Sequence, residues 1–258
     1  MTWLLIDGNN WFAQCEYACP GGGVANTCRR LETVLGQVEH SRAVVCWDGP
    51  NSWRREFCSE YKSQRAAKAD TFKSSLLKTQ AEVAKITDSV CVDAYEADDL
   101  IATLANWAKG EGERSILFSA DKDLHQLLES GQITQVTKVN RTSKTQCKFE
   151  VMTADRLFEM YSVKPWQWVD YRTIVGDKSD GIKGCPGCGD VAALDLLTTC
   201  KSLDAFYENS NLRWKLKLSA KQLTALDNFK DQLGKKRKLM TLCDNVPLPA
   251  KFYEGAGA

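Results

Sequence analysis

Carboxylates are the side chains of this sequence best suited to chemistry. Three of them, Glu96, Asp98 and Asp99, open a predicted amphipathic helix. Further aspartates stand at similar places elsewhere in the chain, namely Asp7, Asp48, Asp121, Asp123 and Asp177. Clustered carboxylate oxygens with few histidines suit Mg²⁺ or Mn²⁺ rather than zinc, and a pair of such ions can cleave a phosphodiester by in-line displacement. The pattern therefore predicts a two-metal site that cleaves nucleic acid.

Each acid taken alone also has a structural interpretation. Asp-Gly after a strand is ordinary turn chemistry, as at Asp7 and Asp48, and acids in the first turn of a helix interact favourably with its dipole. Together, however, so many like charges would repel one another in a partly desolvated cleft unless cations neutralised them. Spacing adds support, because Glu96 and Asp99 lie at i, i+3 on a helix, as Asp177 and Asp180 do if their turn is helical.

The elements that must position these acids follow from the hydrophobic pattern. Short apolar runs predict four buried strands, at residues 3–6, 43–47, 89–92 and 115–119. The helical spacing between them predicts a doubly wound, mainly parallel α/β sheet with helices on both faces. Residues 133–139 and 147–151 are expected to pair as a hairpin at one edge. Ligands of such sheets bind outside the carboxyl ends of the strands, where Asp7, Asp48, Glu96 and Asp121 are expected to meet.

Beyond residue 152 the pattern becomes helical, with a glycine-rich insert at residues 181–189. We therefore expect an α/β core at residues 1–150 and a helical region at residues 151–258. Residues 51–70 are rich in Arg and Lys without a clear apolar period. Taken alone, such a run is most simply a solvated basic loop.

Composition sets broad limits on the class of protein. A chain of 258 residues can bury a core as one large domain or two small ones, and a formal net charge of +1 neither indicates nor excludes a nucleic-acid partner. The first residues lack the pattern of a signal peptide, and no apolar run approaches the roughly 18 residues of a membrane span. The odd count of 11 cysteines favours reduced thiols. These features predict a soluble cytosolic protein.

Several stretches resemble, in the same order, the motifs of the flap endonuclease or 5′-nuclease family, which includes bacteriophage 5′–3′ exonucleases and the nuclease domain of bacterial DNA polymerase I. They are Leu5-Ile6-Asp7-Gly8, Trp47-Asp48-Gly49, Tyr61-Lys62-Ser63-Gln64-Arg65, Glu96-Ala97-Asp98-Asp99, Asp121-Lys122-Asp123 and the run from Gly176 to Gly184. Each stretch is weak alone, and their shared order makes the resemblance specific. It implies the PIN-like 5′-nuclease fold, with a helical arch around residues 51–85 and a C-terminal helix–three-turn–helix hairpin at residues 181–189.

The resemblance also implies roles for individual residues. The metal-binding acids would be Asp7, Asp48, Glu96, Asp98, Asp99, Asp121, Asp123, Asp177 and Asp180. The catalytic cations Lys62 and Arg65 would contact the scissile phosphate. The DNA-binding residues would be Arg54, Arg55, Tyr61, Lys183, Gly184, Gly187 and Gly189. The cofactors would be two Mg²⁺ or Mn²⁺ ions, with a K⁺ ion held by backbone carbonyls of the hairpin.

The glycine-rich hairpin also has a physical rationale of its own, since glycines let backbone N–H groups approach a phosphate at a helix N-terminus. Cys185 and Cys188 within it form a C-x-x-C pattern, which would fit a redox pair or half of a zinc site, whereas packing as small apolar residues is the simpler interpretation. The chain departs from its relatives at Ala13, where they carry an aromatic residue that stacks on the duplex end. Trp11 or Phe12 would have to take its place.

By resemblance, the chain is expected to be a structure-specific 5′ nuclease, a flap endonuclease or 5′–3′ exonuclease that hydrolyses DNA phosphodiesters in replication and repair. Its expected partner is DNA with a 5′ flap, a nick or a 5′ end, and it is expected to act as a monomer, without a membrane, in the cytoplasm of a bacterial or phage-infected cell. Two alternatives stay open. A PIN-like ribonuclease shares the acidic sheet edge, and a catalytically silent protein could bind DNA junctions without cleaving them.

Overall fold

The central sheet has six strands in the order β3-β2-β1-β4-β5-β6. The computed structural model describes residues 1–143 and 145–253. The strands of this sheet are β1 Thr2–Asp7, β2 Arg42–Trp47, β3 Asp88–Cys91, β4 Arg114–Phe118, β5 Ile133–Arg141 and β6 Cys147–Met152. Strands β1 to β5 run parallel, and β6 pairs antiparallel with β5. The predicted mainly parallel sheet with an edge hairpin is confirmed.

Successive residues of β1 contribute to two apolar clusters, one on each face of the sheet. Leu5 belongs to the cluster that contains Leu100 of the helix after β3. Leu4 belongs to the other cluster, with Phe12 and Leu31 from helices between β1 and β2. These side chains are at most 1% exposed. Strands covered by helices on both faces are continuous apolar runs in the sequence. The strand positions could therefore be predicted from the sequence alone.

Helices connect the strands and dominate the chain after β6. They are α1 Gly8–Ala18, α2 Gly23–Gln37, α3 Trp53–Phe57, α4 Asp70–Val83, α5 Ala97–Gly110, α6 Ala154–Tyr161, α7 Trp168–Val175, α8 Asp190–Cys200, α9 Leu203–Glu208, α10 Ser210–Arg213 and α11 Ala220–Met240. The sequence indicated a loop after Asp7, yet α1 begins there, because Asp7 is its N-cap and accepts a hydrogen bond from the backbone N–H of Asn10. Among the described residues, no helix is long and apolar enough to cross a bilayer.

Backbone contacts divide the chain into two compact units that do not follow its linear order. The first unit contains residues 1–53, 66–153 and the described residues from Leu242 on, and the second contains residues 54–65 and 154–241. The division at residue 150 expected from the sequence therefore differs in two segments, since residues 54–65 join the helical unit and the C-terminal segment joins the sheet. Residues 144 and 254–258, which the expected division also covers, lie outside the described residues.

The second unit is built from α6 to α11 and a short two-stranded ladder, β7 Gly176–Asp177 and β8 Ile182–Lys183. Two glycines allow this ladder to form against α7. Gly176 has a φ of +83°, and a Cβ there would lie 2.4 Å from the backbone N of Gly184. A Cβ on Gly184 would lie 2.2 Å from the carbonyl oxygen of Ile174. Backbone segments approach too closely at these positions for any side chain.

Candidate metal centre

Three carboxylates of the first unit follow three adjacent parallel strands. Asp7 is the last residue of β1, Asp48 directly follows β2, and Asp121 lies in the loop after β4. Strand β1 lies between β2 and β4, and neighbouring strands are about 4.8 Å apart. The strand ends therefore deliver these acids to one edge of the sheet.

Asp7 is the buried member of this group, with 7% of its surface exposed. Its carboxylate accepts hydrogen bonds from the backbone N–H of Asn10 at 2.9 Å and from the Ser119 hydroxyl at 2.7 Å. Burial, together with the negative charges of Asp48 and Asp121, raises the pKa of Asp7 to about 7. This shift reflects repulsion between carboxylates as well as desolvation, and a divalent cation at the same edge would relieve it.

The start of α5 brings two more acids to the loop after β2. The backbone N–H of Ala97 donates a 2.9 Å hydrogen bond to Asp48 Oδ1, so the first turn of α5 is fastened to Asp48. Glu96 is the N-cap residue and is 8% exposed. Asp98 follows in the first turn and is partly buried. The positive end of the helix dipole favours carboxylates at these positions.

Asp99 differs from its neighbours, because its carboxylate is buried and accepts hydrogen bonds from other parts of the protein. The side chain is 0% exposed. Its Oδ2 accepts a hydrogen bond from Trp53 Nε1 at 3.2 Å, and its Oδ1 accepts one from the backbone N–H of Cys243 at 2.8 Å. These partners hold the Asp99 carboxylate inside the protein, and the expectation that Asp99 binds metal stays a prediction. Asp99 anchors the start of α5 to two segments distant in sequence.

The loop that carries Asp121 and Asp123 is held by residues that the sequence analysis did not identify. Asp121 is exposed, and its carboxylate accepts a 2.9 Å hydrogen bond from the backbone N–H of Asp123. Gln135 on β5 is 0% exposed, and its amide donates to the carbonyl oxygens of Ser119 at 2.8 Å and Asp121 at 2.7 Å. His125 Nδ1 lies 2.8 Å from Gln135 Oε1 and therefore donates to it. This buried pair fixes the position of the acidic loop.

We expect Gln135→Leu to weaken metal binding more than it lowers the maximal rate of cleavage. Loss of the amide leaves two loop carbonyls without their donor, and removal of such outer partners costs about 10- to 100-fold in metal affinity in other proteins. The measurement is the cleavage rate as a function of Mn²⁺ concentration. The half-saturating concentration should rise by roughly ten-fold, with the rate largely restored at saturation.

Gln37→Leu is the matched control for this change. Gln37 also bridges backbone groups, because its side chain donates to the Cys147 carbonyl at 2.9 Å and accepts from the Cys147 N–H at 2.6 Å. It lies in α2 and holds β6. Both variants should lower the melting temperature, but only Gln135→Leu should change the metal requirement. An equal rise of the half-saturating Mn²⁺ concentration in both variants would show that Gln135 has only a structural role.

Asp177 lies in the second unit and is engaged by protein donors. Its Oδ1 accepts hydrogen bonds from the backbone N–H and the hydroxyl of Ser179, each at 2.7 Å, and its Oδ2 is paired with the Arg172 guanidinium. Burial raises the pKa of Asp177, but the hydrogen bonds from Ser179 and the charge of Arg172 outweigh it, so that the pKa is lowered overall. Asp177 is thus held as a carboxylate.

Asp180, in the same turn, faces both cations expected to contact phosphate. Arg65 lies 2.5 Å from Asp180 Oδ1, and Lys62 Nζ lies 3.9 Å from Oδ2. The backbone N–H of Lys62 also donates to the Asp180 carbonyl at 2.8 Å. Lys62 has a φ of +54°, a left-handed conformation that is uncommon for a residue other than glycine. Such conformations cluster at functional sites.

Two residues expected to bind DNA are instead buried within the second unit. Arg54 is 1% exposed, and its guanidinium donates to the carbonyl oxygens of Leu239 at 3.2 Å and Thr241 at 3.1 Å. Tyr61 is 4% exposed and belongs to an apolar cluster with Ile182. These side chains stabilise the C-terminal end of α11 and the hairpin region, and their expected contacts with DNA stay predictions. Arg55, by contrast, is exposed.

The glycine-rich hairpin presents backbone rather than large side chains. Gly187 is exposed with a φ of +75°, and Gly189 is exposed as the N-cap of α8, whereas Gly184 is required for close backbone packing. Cys185 and Cys188 are 4% and 3% exposed. Burial raises the pKa of both thiols, to about 12 for Cys185, and this disfavours the thiolates that redox and zinc chemistry require.

Two lysines of α11, Lys235 and Lys236, contribute positive charge near Lys183 in this unit. Burial lowers the pKa of Lys236 on α11, and the charges of Lys235 and Lys183 lower it further. These ammonium groups therefore lie within electrostatic range of one another.

Trp11 and Phe12 do not replace the aromatic residue missing at position 13. They are 2% and 0% exposed. The Trp11 ring packs edge-on against Phe118, with centroids 5.7 Å apart. Both side chains are therefore core residues, and neither can stack on the end of a duplex.

Comparison with known proteins adds an independent finding. Residues 2–162 match the model of the 5′–3′ exonuclease N-terminal resolvase-like domain, and residues 163–256 match the model of the 5′–3′ exonuclease C-terminal SAM fold. The chain is 29% identical to the flap endonuclease Xni of Shewanella sediminis over 256 residues, covering 96% of this chain and 94% of that protein. It is 31% identical to DNA polymerase I of Streptococcus pneumoniae over 84% of this chain, but spans only 24% of the polymerase.

A solved structure shares the fold at lower identity. The bacteriophage T5 flap endonuclease, in complex with DNA and metal ions, superposes with a TM-score of 0.72 at 18% identity, covering 94% of this chain and 90% of that one. At this identity the likeness establishes the fold. It agrees with the parallel sheet and the helical C-terminal region described above.

Proposed function

The chain belongs to the 5′–3′ exonuclease family, and from this premise we propose that it is a structure-specific 5′ nuclease that hydrolyses DNA phosphodiesters. The observation that carries the proposal is the delivery of Asp7, Asp48 and Asp121 to one edge by three adjacent strands, where burial and their charges raise the pKa of Asp7. The similarity to a flap endonuclease over nearly the whole chain supports the same activity.

We assign two divalent cations, Mg²⁺ or Mn²⁺, to this edge. The candidate ligands of the first unit supply only oxygen atoms, which these ions prefer, and they are Asp7, Asp48, Glu96, Asp98, Asp121 and Asp123. Bound divalent ions make a water molecule more acidic and neutralise charge on a phosphate. The family resemblance also implies that Asp177 and Asp180 of the second unit bind metal, in which case they would exchange contacts with Arg172, Lys62 and Arg65 for a cation.

Lys62 and Arg65 are proposed to contact the scissile phosphate. Both lie beside Asp180 in the structure, and a carboxylate that turns to a metal ion would release them toward the substrate. Their positive charges would then stabilise the negative charge that develops on the phosphate. Residues 51–85 would form the arch implied by the family.

DNA carrying a 5′ flap, a nick or a 5′ end is the proposed substrate. The exposed backbone at Gly187 and Gly189 is proposed to contact duplex phosphates without reading sequence. Lys183 of the hairpin region and Arg55 of α3 are proposed to contribute further phosphate contacts. A K⁺ ion held by hairpin carbonyls would belong to the same contact. We propose that the protein acts as a monomer in the cytoplasm, in replication and repair.

End-labelled substrates test this function most simply. The protein should be incubated with 5′-flap, nicked, single-stranded and RNA-flap substrates, with Mg²⁺ or Mn²⁺ and with chelator. We expect metal-dependent cleavage of the DNA flap near its junction. Preferred cleavage of RNA would instead favour a PIN-like ribonuclease, and equal binding without product in any buffer would favour a silent junction-binding protein.

A further inference from the structure

One exposed aromatic side chain stands out near the end of α1. Tyr17 is 63% exposed, and its ring stacks on Phe72 of α4 with an interplanar angle of 28° and centroids 5.9 Å apart. The Lys68 ammonium donates a hydrogen bond to the Tyr17 hydroxyl. From its position in the structure, we propose that Tyr17, Lys68 and Phe72 form a stacking platform for an unpaired base of the 5′ single strand of a DNA substrate. This inference rests on the proposed nuclease function.

The platform leaves one face of the tyrosine ring outward. Lys68 Nζ lies 4.9 Å from the centroid of Tyr17 and 5.0 Å from that of Phe72, and the two centroids are 5.9 Å apart. Because the ammonium also bonds the Tyr17 hydroxyl, it lies at the edge of the ring and covers neither face. Phe72 stacks on one face, and the 63% exposure of Tyr17 leaves the other face accessible to a flat ligand.

The platform also packs against the hydrophobic core, which holds the Tyr17 ring in place before a ligand binds. Phe72 packs edge-on against Phe12, with centroids 4.9 Å apart, and Phe12 is 0% exposed. A large aromatic ring that is already ordered loses little conformational freedom on binding. Such an arrangement suits ligand binding better than a mobile surface tyrosine would.

Helix α1 links the platform to the metal centre. Asp7 is the N-cap of α1, and Tyr17 lies in its last turn. Ten residues at 1.5 Å each put the two positions roughly 15 Å apart along the helix axis. A strand whose phosphate reaches the acids could therefore place a base a few nucleotides away on Tyr17.

An unpaired base fits this surface better than a base pair does. A single ring face has the size of one base, and the bases of a duplex are covered by their neighbours except at the end. Proteins that bind single strands combine aromatic rings with cations that follow the backbone. Lys68 supplies positive charge beside the ring, where a flanking phosphate would lie.

The test uses 2-aminopurine, whose fluorescence falls when it stacks, placed at successive positions of a 5′ flap. Binding is followed in chelator, so that no cleavage occurs, with wild-type protein, Tyr17→Ala and Tyr17→Phe. Trp214→Ala is the matched control, since Trp214 is 90% exposed and lies in the second unit. We expect Tyr17→Ala to weaken flap binding roughly ten-fold and to remove the quenching at one flap position. Tyr17→Phe and Trp214→Ala should match wild type.

Three outcomes would overturn the platform. Unchanged flap affinity and quenching in Tyr17→Ala would do so, as would the same loss on a blunt duplex, which would assign Tyr17 to the duplex end. Absence of any quenched flap position in the wild-type complex would also do so, whether or not the alanine variant folds. A wild-type protein that neither binds nor cleaves flaps would instead refute the proposed function itself.

Discussion

Asp7→Asn should slow cleavage of a 5′-flap substrate on the order of 10³-fold, because a metal ligand is worth several kcal/mol in the transition state. The same change should leave the metal-free protein as stable as wild type, or more stable. Asparagine keeps the size of the side chain and can still cap α1 at Asn10. It also removes a buried charge whose pKa is raised to about 7 by burial and by Asp48 and Asp121. Loss of activity with no loss of stability distinguishes a functional charge from a structural one.

The measurement pairs single-turnover cleavage with a melting temperature in chelator. Glu96→Gln and Glu111→Gln extend it, because these acids stand at opposite ends of α5, as its N-cap and C-cap. Glu96→Gln should also lower the rate at limiting metal, whereas Glu111→Gln should not. If the Asp7→Asn protein cleaves at the wild-type rate at low metal concentration, Asp7 is not a metal ligand.

Lys62→Ala is expected to lower the single-turnover rate by roughly 10²- to 10³-fold, since one preorganised positive donor at a developing negative charge is worth about that much. Affinity for the flap substrate should change little, because many phosphate contacts share it. The rate should be measured with enzyme in excess and the affinity in chelator. A parallel loss in both would mark Lys62 as a binding residue only.

Backbone strain complicates this variant, since Lys62 has a φ of +54°. Lys62→Asn addresses the problem, because asparagine tolerates the left-handed region and carries no charge. If the positive charge of the ammonium stabilises the transition state, the single-turnover rate should fall equally in both variants. Lys215→Ala, an exposed lysine in the second unit, is the matched control and should retain full activity. A rate recovered by Lys62→Asn would assign the effect to the backbone.

The sheet and its acidic edge could be predicted from sequence because both depend on local pattern. Buried parallel strands are continuous apolar runs, and Asp7 and Asp48 stand directly at their ends, so strand order alone brings them together. The start of α5 was equally visible, because Glu96 and Asp98 open an apolar helical period. Helix α1 was missed because Asp7-Gly8 is also turn chemistry. Its signal was the spacing of Trp11, Phe12 and Cys15, which are buried on one side of the helix.

The sequence could not predict the burial of side chains whose partners lie far away in sequence. Asp99 looks like Asp98 in the sequence, yet its partners Trp53 and Cys243 come from distant segments. Arg54 looks like Arg55, yet its guanidinium is bound by carbonyls at the end of α11. No local period encodes such contacts. Gln135 was missed for the same reason, since its role depends on the loop of another strand.

The central claim is that carboxylates from distant parts of the chain bind a pair of divalent cations at the sheet edge. Crystals soaked in Mn²⁺ test it directly through anomalous scattering. We predict two manganese peaks about 3.5–4 Å apart, bonded to carboxylates that include Asp7, Asp48 and Asp121. An ordered Asp7 without manganese beside it, or manganese bound only at other surfaces, would contradict the claim.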